Sequence, residues 1–214
     1  MAKVPIAGEV KTRLCPPLRP DQAAELARCF LEDRVEQLGA LPGSDRLVAF
    51  TPPEREPELR RLLPAGLRLL PQAGADLGAR MEQILSTLLA EGYAGAIAVG
   101  TDTPTLPTAY LEQACVALRR DAADVILGPS EDGGYYLVGL RTPAPELFVS
   151  MPWSAATVCA ETLARARAGG RRVLVLPRWF DVDRAADLAR LGRAPARGAH
   201  RPRRTLALLA GLRV

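Results

Sequence analysis

Hydrophobic residues along this chain keep changing their period. Short apolar runs alternate with longer segments in which apolar positions recur every three or four residues. Runs at 46–51, 67–70, 96–99, 124–127 and 172–176 read as strands, and the aromatic and branched run 135–138 as a strand returning after a turn. Segments 21–38, 54–63, 107–120, 156–168 and 205–212 read as helices, another helix ends near 91, and a short one begins around Asp187. In 21–38 the apolar positions are 23, 24, 26, 27, 30, 31, 35 and 38, with Asp21 as the expected N-cap and Asp33 as a solvated or capping acid. Strand and helix alternating throughout predict a Rossmann-like α/β sandwich.

The run Ala96, Ile97, Ala98, Val99 lies between Gly95 and Gly100 and reads as a strand buried on both faces. The chain then stops at Asp102, flanked by Thr101 and Thr103. In open α/β sheets the carboxyl ends of strands are where ligands bind. Pro104 and Pro107 hold the carboxylate in a turn, so Asp102 is either a ligand or the cap of the next helix.

Other chemistry-bearing residues fall in comparable loops. Near the N-terminus Lys3, Lys11 and Arg13 surround Gly8, and of 28 basic residues Lys3 and Lys11 are the only lysines. Converging on a turn, the three would hold a polyphosphate; the alternative is an ordinary basic N-terminus. The spacing is not that of a P-loop. Only Met1 and Ala2 precede Lys3, so a first strand is expected to be very short or missing. Gln72 to Met81 is punctuated by Gly74 and Gly78 and opens a helix, which suits either a base edge or phosphate or a plain connection. Glu131 and Asp132 precede Gly133 and Gly134 in a tight turn, facing a ligand or merely solvent. Asp181-Val182-Asp183 directs two carboxylates to one side, as an extended segment does when it chelates a hard cation; helix capping is the competing role. Trp153, in the segment Met151 to Ser154, reads as a packing anchor.

Composition narrows the classes. The 214 residues suit one sizeable domain. Net charge is +4, but residues 188–214 hold seven arginines and no acid, leaving −3 on the remainder. Basicity is thus a tail property, and no nucleic-acid motif accompanies it. No apolar run reaches the roughly 18 residues of a membrane span, and no signal-peptide core opens the chain, so a cytoplasmic location is expected. Cysteines 15, 29, 115 and 159 form no C-x-x-C pair, and His200 is the only histidine. Structural zinc and histidine-based hydrolases are disfavoured, and a metal would be held by oxygens, as Mg²⁺ or Mn²⁺ is.

Five motifs in order, Lys3-x-Pro5-x-x-Gly8-x-x-Lys11-Thr12-Arg13-Leu14, Gly74-x-Asp76-Leu77-Gly78-x-Arg80-Met81, Gly100-Thr101-Asp102-Thr103-Pro104, Gly128-Pro129-x-x-Asp132-Gly133-Gly134-Tyr135 and Asp181-Val182-Asp183, resemble the DUF2064 group. These are bacterial GT-A-fold transferases, some associated with radical-SAM enzymes, and similar to phospholactate and molybdenum-cofactor guanylyltransferases. The resemblance runs from Lys3 to about Leu191 and implies a GT-A domain, expected over residues 1–192, with mixed, mostly parallel strands; residues 193–214 remain as a basic tail with a short helix. It implies that Asp102 binds a divalent cation, Mg²⁺ or Mn²⁺, with Asp181 and Asp183 as further ligands. Lys11 and Arg13 would face the phosphates, Gln72 and Gly78 the base, and Asp132 to Tyr135 the acceptor. The nucleotide-binding set is then Gly8, Lys11, Thr12, Arg13, Gln72, Gly78, Arg80 and Thr101, and the catalytic set Lys11, Arg13, Asp102 and Asp132.

Phosphoryl-group chemistry needs positioning and charge stabilisation more than a histidine base. The expected activity is nucleotidyl transfer from a nucleoside triphosphate to a small phosphorylated or carboxylated acceptor. The alternative is glycosyl transfer from a nucleotide-diphospho-sugar, and a noncatalytic nucleotide-binding role is the third reading. Basic charge at the N-terminal loop favours the first.

Overall fold

The computed structural model describes residues 1–153, 155–191 and 198–212. Ser154, the expected boundary between 192 and 193, and Arg193, Arg197 and Arg213 lie outside the described residues. Seven strands and seven α-helices occur among the described residues, and they form two compact units, each built from separate stretches of chain.

The first unit comprises Met1–Pro71, Thr101–Thr108 and Asp181–Val214. Its sheet is all parallel, in the order β1-β2-β3, from Ala2–Lys3, Leu47–Thr51 and Arg68–Pro71. The doubtful first strand is present and very short: Ala2 pairs with Phe50 and Lys3 with Thr51. Ala2, Val4, Leu31, Val35, Val48, Phe50, Leu59, Leu63 and Leu67 form one buried apolar cluster. Two of those side chains come from α1 (Pro20–Gly39), whose period gives it a core-facing stripe, and Leu59 from α2 (Glu56–Leu62). Pro20 occupies the first turn of α1 and Arg19 is its N-cap, not Asp21. Asp21 instead sits within the first turn and pairs with Arg19, since proline's fixed φ suits the opening position.

The second unit comprises Gln72–Gly100 and Ala109–Phe180. Strands β4 (Ala96–Val99), β5 (Val125–Pro129), β6 (Tyr135–Leu140) and β7 (Val173–Val175) lie in the order β4-β6-β5-β7. Here β6 is antiparallel to both neighbours, and β5 and β7 are parallel. The return of β6 is the one expected from the turn at Gly133 and Gly134. Val125, Ile126 and Leu127 are fully buried, which is why that run carries no polar alternation. Helix α3 (Leu77–Ala90) packs on β4, and α5 (Val158–Ala168) on β5 and β7; α4 spans Thr108–Arg119.

Back in the first unit, α6 (Ala185–Leu191) and α7 (Arg203–Leu212) complete the described chain, and α7 packs on α1. No helix among the described residues is long and apolar enough to cross a membrane. All four cysteines are free.

Candidate functional site

Lys11 begins the site. It precedes a 3-10 turn, Thr12–Leu14, and has a left-handed backbone, φ 49 and ψ 35. Its side chain is only 7% exposed, and Nζ lies 5.6 Å from the centroid of the buried Phe30 ring. A buried ammonium requires acceptors for all three of its protons. It has them: Asp102 Oδ1 at 2.8 Å, Asp183 Oδ1 at 2.7 Å and the carbonyl of Val182 at 2.8 Å. Burial alone would lower the Lys11 pKa, but the two carboxylates more than offset it and hold the group above its ordinary value.

The loops that carry the two acids have supports besides Lys11. Val182 donates its amide to the carbonyl of Asp102 at 2.8 Å, so each loop braces the other. Asp187 accepts the amides of Asp183, at 3.0 Å, and Arg184, at 2.7 Å, which caps the start of α6 and sets the Asp183 backbone. Beyond Asp102, the buried Arg34 of α1 donates to the carbonyl of Thr103 at 2.6 Å and to its hydroxyl at 2.7 Å. One turn on, Gln37 donates to the carbonyl of Leu106 and the hydroxyl of Thr108. Pro104 and Pro107 cannot donate within this loop, and helix α1 supplies the polar partners its carbonyls need. His200 donates its amide to the carbonyl of Thr105 at 3.1 Å.

Asp33 is buried and does cap a helix, though not its own. It accepts the Thr205 amide at 3.0 Å, the Thr205 hydroxyl at 2.8 Å and the Arg204 amide at 3.1 Å at the start of α7. Arg204 also pairs with Glu32 and Glu36, so one arginine of the basic segment is a structural cation.

Of the residues expected from sequence, Lys11, Asp102 and Asp183 come together. Lys3 does not join them; its Nζ donates to the carbonyl of Glu9 at an exposed position. Arg13, Thr12 and Gly8 are exposed on the same N-terminal loop, Gly8 with φ 81. Thr101 donates its hydroxyl to Asp102 Oδ1 at 3.3 Å. Among the described residues no three His, Cys, Asp or Glu side chains are grouped closely enough to cage a metal ion, so Asp181 does not complete a triad with Asp102 and Asp183. Two carboxylates remain as hard donors, their side chains 46% and 42% exposed. That donor set fits Mg²⁺ or Mn²⁺ better than an all-protein cage would, because Mg²⁺ commonly takes one or two carboxylates and completes its shell with phosphate and water.

Gln72, Gly78, Arg80 and Asp132 belong to the second unit. Gln72 is buried, Arg80 donates to the carbonyl of Gly74, and Asp132 accepts the Gly134 amide at 2.9 Å within its own turn. Asp76 is the N-cap of α3 through the Ala79 amide. Gly78 is small for a reason: a Cβ there would lie 2.2 Å from the Trp153 ring. Trp153 is thus the packing anchor that its position suggested, and its ring meets Tyr135 edge to face.

Arg34, Gln37 and Phe30 were not singled out from sequence as site residues. A signal was available, since Phe30, Arg34 and Gln37 recur at helical spacing on the core-facing side of α1, where an arginine and a glutamine need buried partners.

The fold places this chain among Rossmann-like α/β proteins of the nucleotide-transferase type. A family model described as "Uncharacterized protein conserved in bacteria (DUF2064)" matches residues 34–155, and the chain belongs to that family. The crystal structure of a proposed nucleotide-diphospho-sugar transferase from Desulfovibrio desulfuricans G20 is 32% identical, with a TM-score of 0.88, over 98% of this chain and 91% of that one. A CMP:2-keto-3-deoxy-manno-octonic acid synthetase complexed with CTP is 13% identical, with a TM-score of 0.54, over 89% of this chain and 93% of that one, a likeness of fold alone. No curated protein matches the sequence.

Proposed function

We propose that this chain is a divalent-metal-dependent transferase that takes a nucleoside triphosphate as donor and transfers its nucleotidyl group to a small phosphorylated or carboxylated acceptor. The observation that carries the reading is the pairing of Lys11 with Asp102 and Asp183: fixed positive charge and two half-exposed carboxylates meet at one point. In such a reaction an acceptor oxygen forms a bond to the α-phosphorus as the bond from that phosphorus to the bridging oxygen breaks, and pyrophosphate leaves with the electron pair. Mg²⁺ or Mn²⁺, when bound, supplies charge neutralisation at the phosphates. Asp102 and Asp183 would hold the cation, and Lys11 with exposed Arg13 would bind phosphate oxygens.

Glycosyl transfer from a nucleotide-diphospho-sugar is the second reading. The relative from Desulfovibrio supports it, and so does the ion pairing of Lys11, which leaves less free positive charge for a departing pyrophosphate.

A thermal-shift panel with Mg²⁺ or Mn²⁺ tests both: four nucleoside triphosphates beside UDP-glucose, UDP-N-acetylglucosamine and GDP-mannose. Ligands that bind only the folded state raise the midpoint. Stabilisation by one triphosphate beyond its diphosphate is expected. A nucleotide sugar outperforming its diphosphate would favour the second reading, and no shift with any ligand would overturn both.

A further inference from the structure

The two carboxylates proposed to hold a cation already share one, and it is part of the chain. Lys11 Nζ is in contact with Asp102 Oδ1, Asp183 Oδ1 and the Val182 carbonyl, which uses every proton the ammonium has. The ammonium lies on the buried side of the pair, at 7% exposure, and the carboxylates are open to water at 46% and 42%. A bare divalent cation approaching from solvent therefore meets a pair of acids whose charge is already half offset by the ammonium, and a fixed positive charge directly behind them. A cation arriving with a polyphosphate brings a net negative charge, together with oxygens that can accept the ammonium's protons in place of the carboxylates.

We propose that Lys11 is the resident counter-ion of Asp102 and Asp183, and that it makes cation binding conditional on nucleotide. The ammonium gives up the carboxylates only when phosphate oxygens are present to receive it. This inference rests on the nucleotide-transferase reading above. Because coupling between two ligands is reciprocal, the nucleotide would also bind weakly without the cation.

The lysine content makes the test direct, since Lys3 and Lys11 are the only two lysines in the chain. Protein grown with nitrogen-15 side-chain-labelled lysine reports each ammonium by NMR, and backbone amides report binding elsewhere. Mg²⁺ alone is expected to leave the Lys11 ammonium signal in place, whereas Mg²⁺ with ATP, CTP, GTP or UTP, whichever binds, is expected to move it. In calorimetry Lys11→Met is expected to bind Mn²⁺ alone about tenfold more tightly than the natural protein, within the usual range of coupling between sites. Mg²⁺ alone moving the Lys11 signal as far as the metal and nucleotide together would overturn the inference. So would unchanged or weaker Mn²⁺ binding by a folded Lys11→Met. If amides respond to metal and nucleotide while Lys11 stays in place, the inference fails and the transferase reading stands. If nothing responds to any nucleotide, both fall.

Discussion

Val182 donates its amide to the carbonyl of Asp102 at 2.8 Å, joining two loops that are eighty residues apart in sequence. Neither acid is placed by its own loop alone. Asp102 is fixed through Thr103 by Arg34, Asp183 through its amide by Asp187, and the Val182 bond makes the two supports one frame. Lys11 then closes the frame from the N-terminal loop.

Asp102→Asn removes one charge from this frame but keeps its shape. The expected outcome is loss of metal-dependent nucleotide binding in a protein whose circular dichroism is unchanged. Calorimetric titration with Mg²⁺ and nucleotide decides it, and an unaltered affinity would rule out Asp102 as a metal ligand.

Arg34→Met should act on the same carboxylate from a distance. It leaves the Thr103 carbonyl and hydroxyl buried without this donor, a loss of about 2–3 kcal/mol for charged hydrogen bonds. Urea denaturation measures that cost. Metal and nucleotide affinity should fall as well, because Asp102 lies one residue before the released anchor, and a stable variant with natural affinity would contradict the bracing role.

Asp33→Ala takes the cap from α7. Capping losses are typically about 1 kcal/mol, and burial of Asp33 places this one toward the upper end, about 2 kcal/mol. A lowered thermal midpoint with reduced protection of the α7 amides in hydrogen exchange is expected; unchanged protection would show that α7 is held by its packing on α1 instead.

His200 should make stability fall with acid. Burial, helped by the Arg34 charge and opposed by Asp33 and Glu36, lowers its pKa below the ordinary value of about 6.5. The unfolded chain therefore takes up a proton that the folded chain resists. Stability is full above the unfolded pKa and declines as pH drops through it toward the folded value. Denaturation at neutral and mildly acidic pH should show a larger acid loss for the natural protein than for His200→Gln; equal losses would refute the assignment.

Gly78→Ala tests the second unit by itself. The added methyl would meet the Trp153 ring, and overpacking of this kind costs about 1–3 kcal/mol. Denaturation should show the loss and tryptophan fluorescence a changed surrounding of the indole, whereas a neutral substitution would mean the ring has room to move.

The alternation of period determined the α/β class and nearly every element, because a strand buried on both faces and a half-buried helix write different spacings into the chain. Glycine, proline and acid at strand ends marked Asp102 and Asp181 to Asp183 as loop residues by local chemistry alone. What the period could not express was partnership at long range. Lys11 and Asp183 are 172 positions apart, and Asp33 and Thr205 also 172, so no local window contains either pair. A basic residue near a glycine turn looks the same whether it awaits a phosphate or already bridges two carboxylates. That choice belongs to burial: once folding took the Lys11 ammonium out of water, its protons had to find acceptors, and only the tertiary structure decided that these would be Asp102, Asp183 and the Val182 carbonyl.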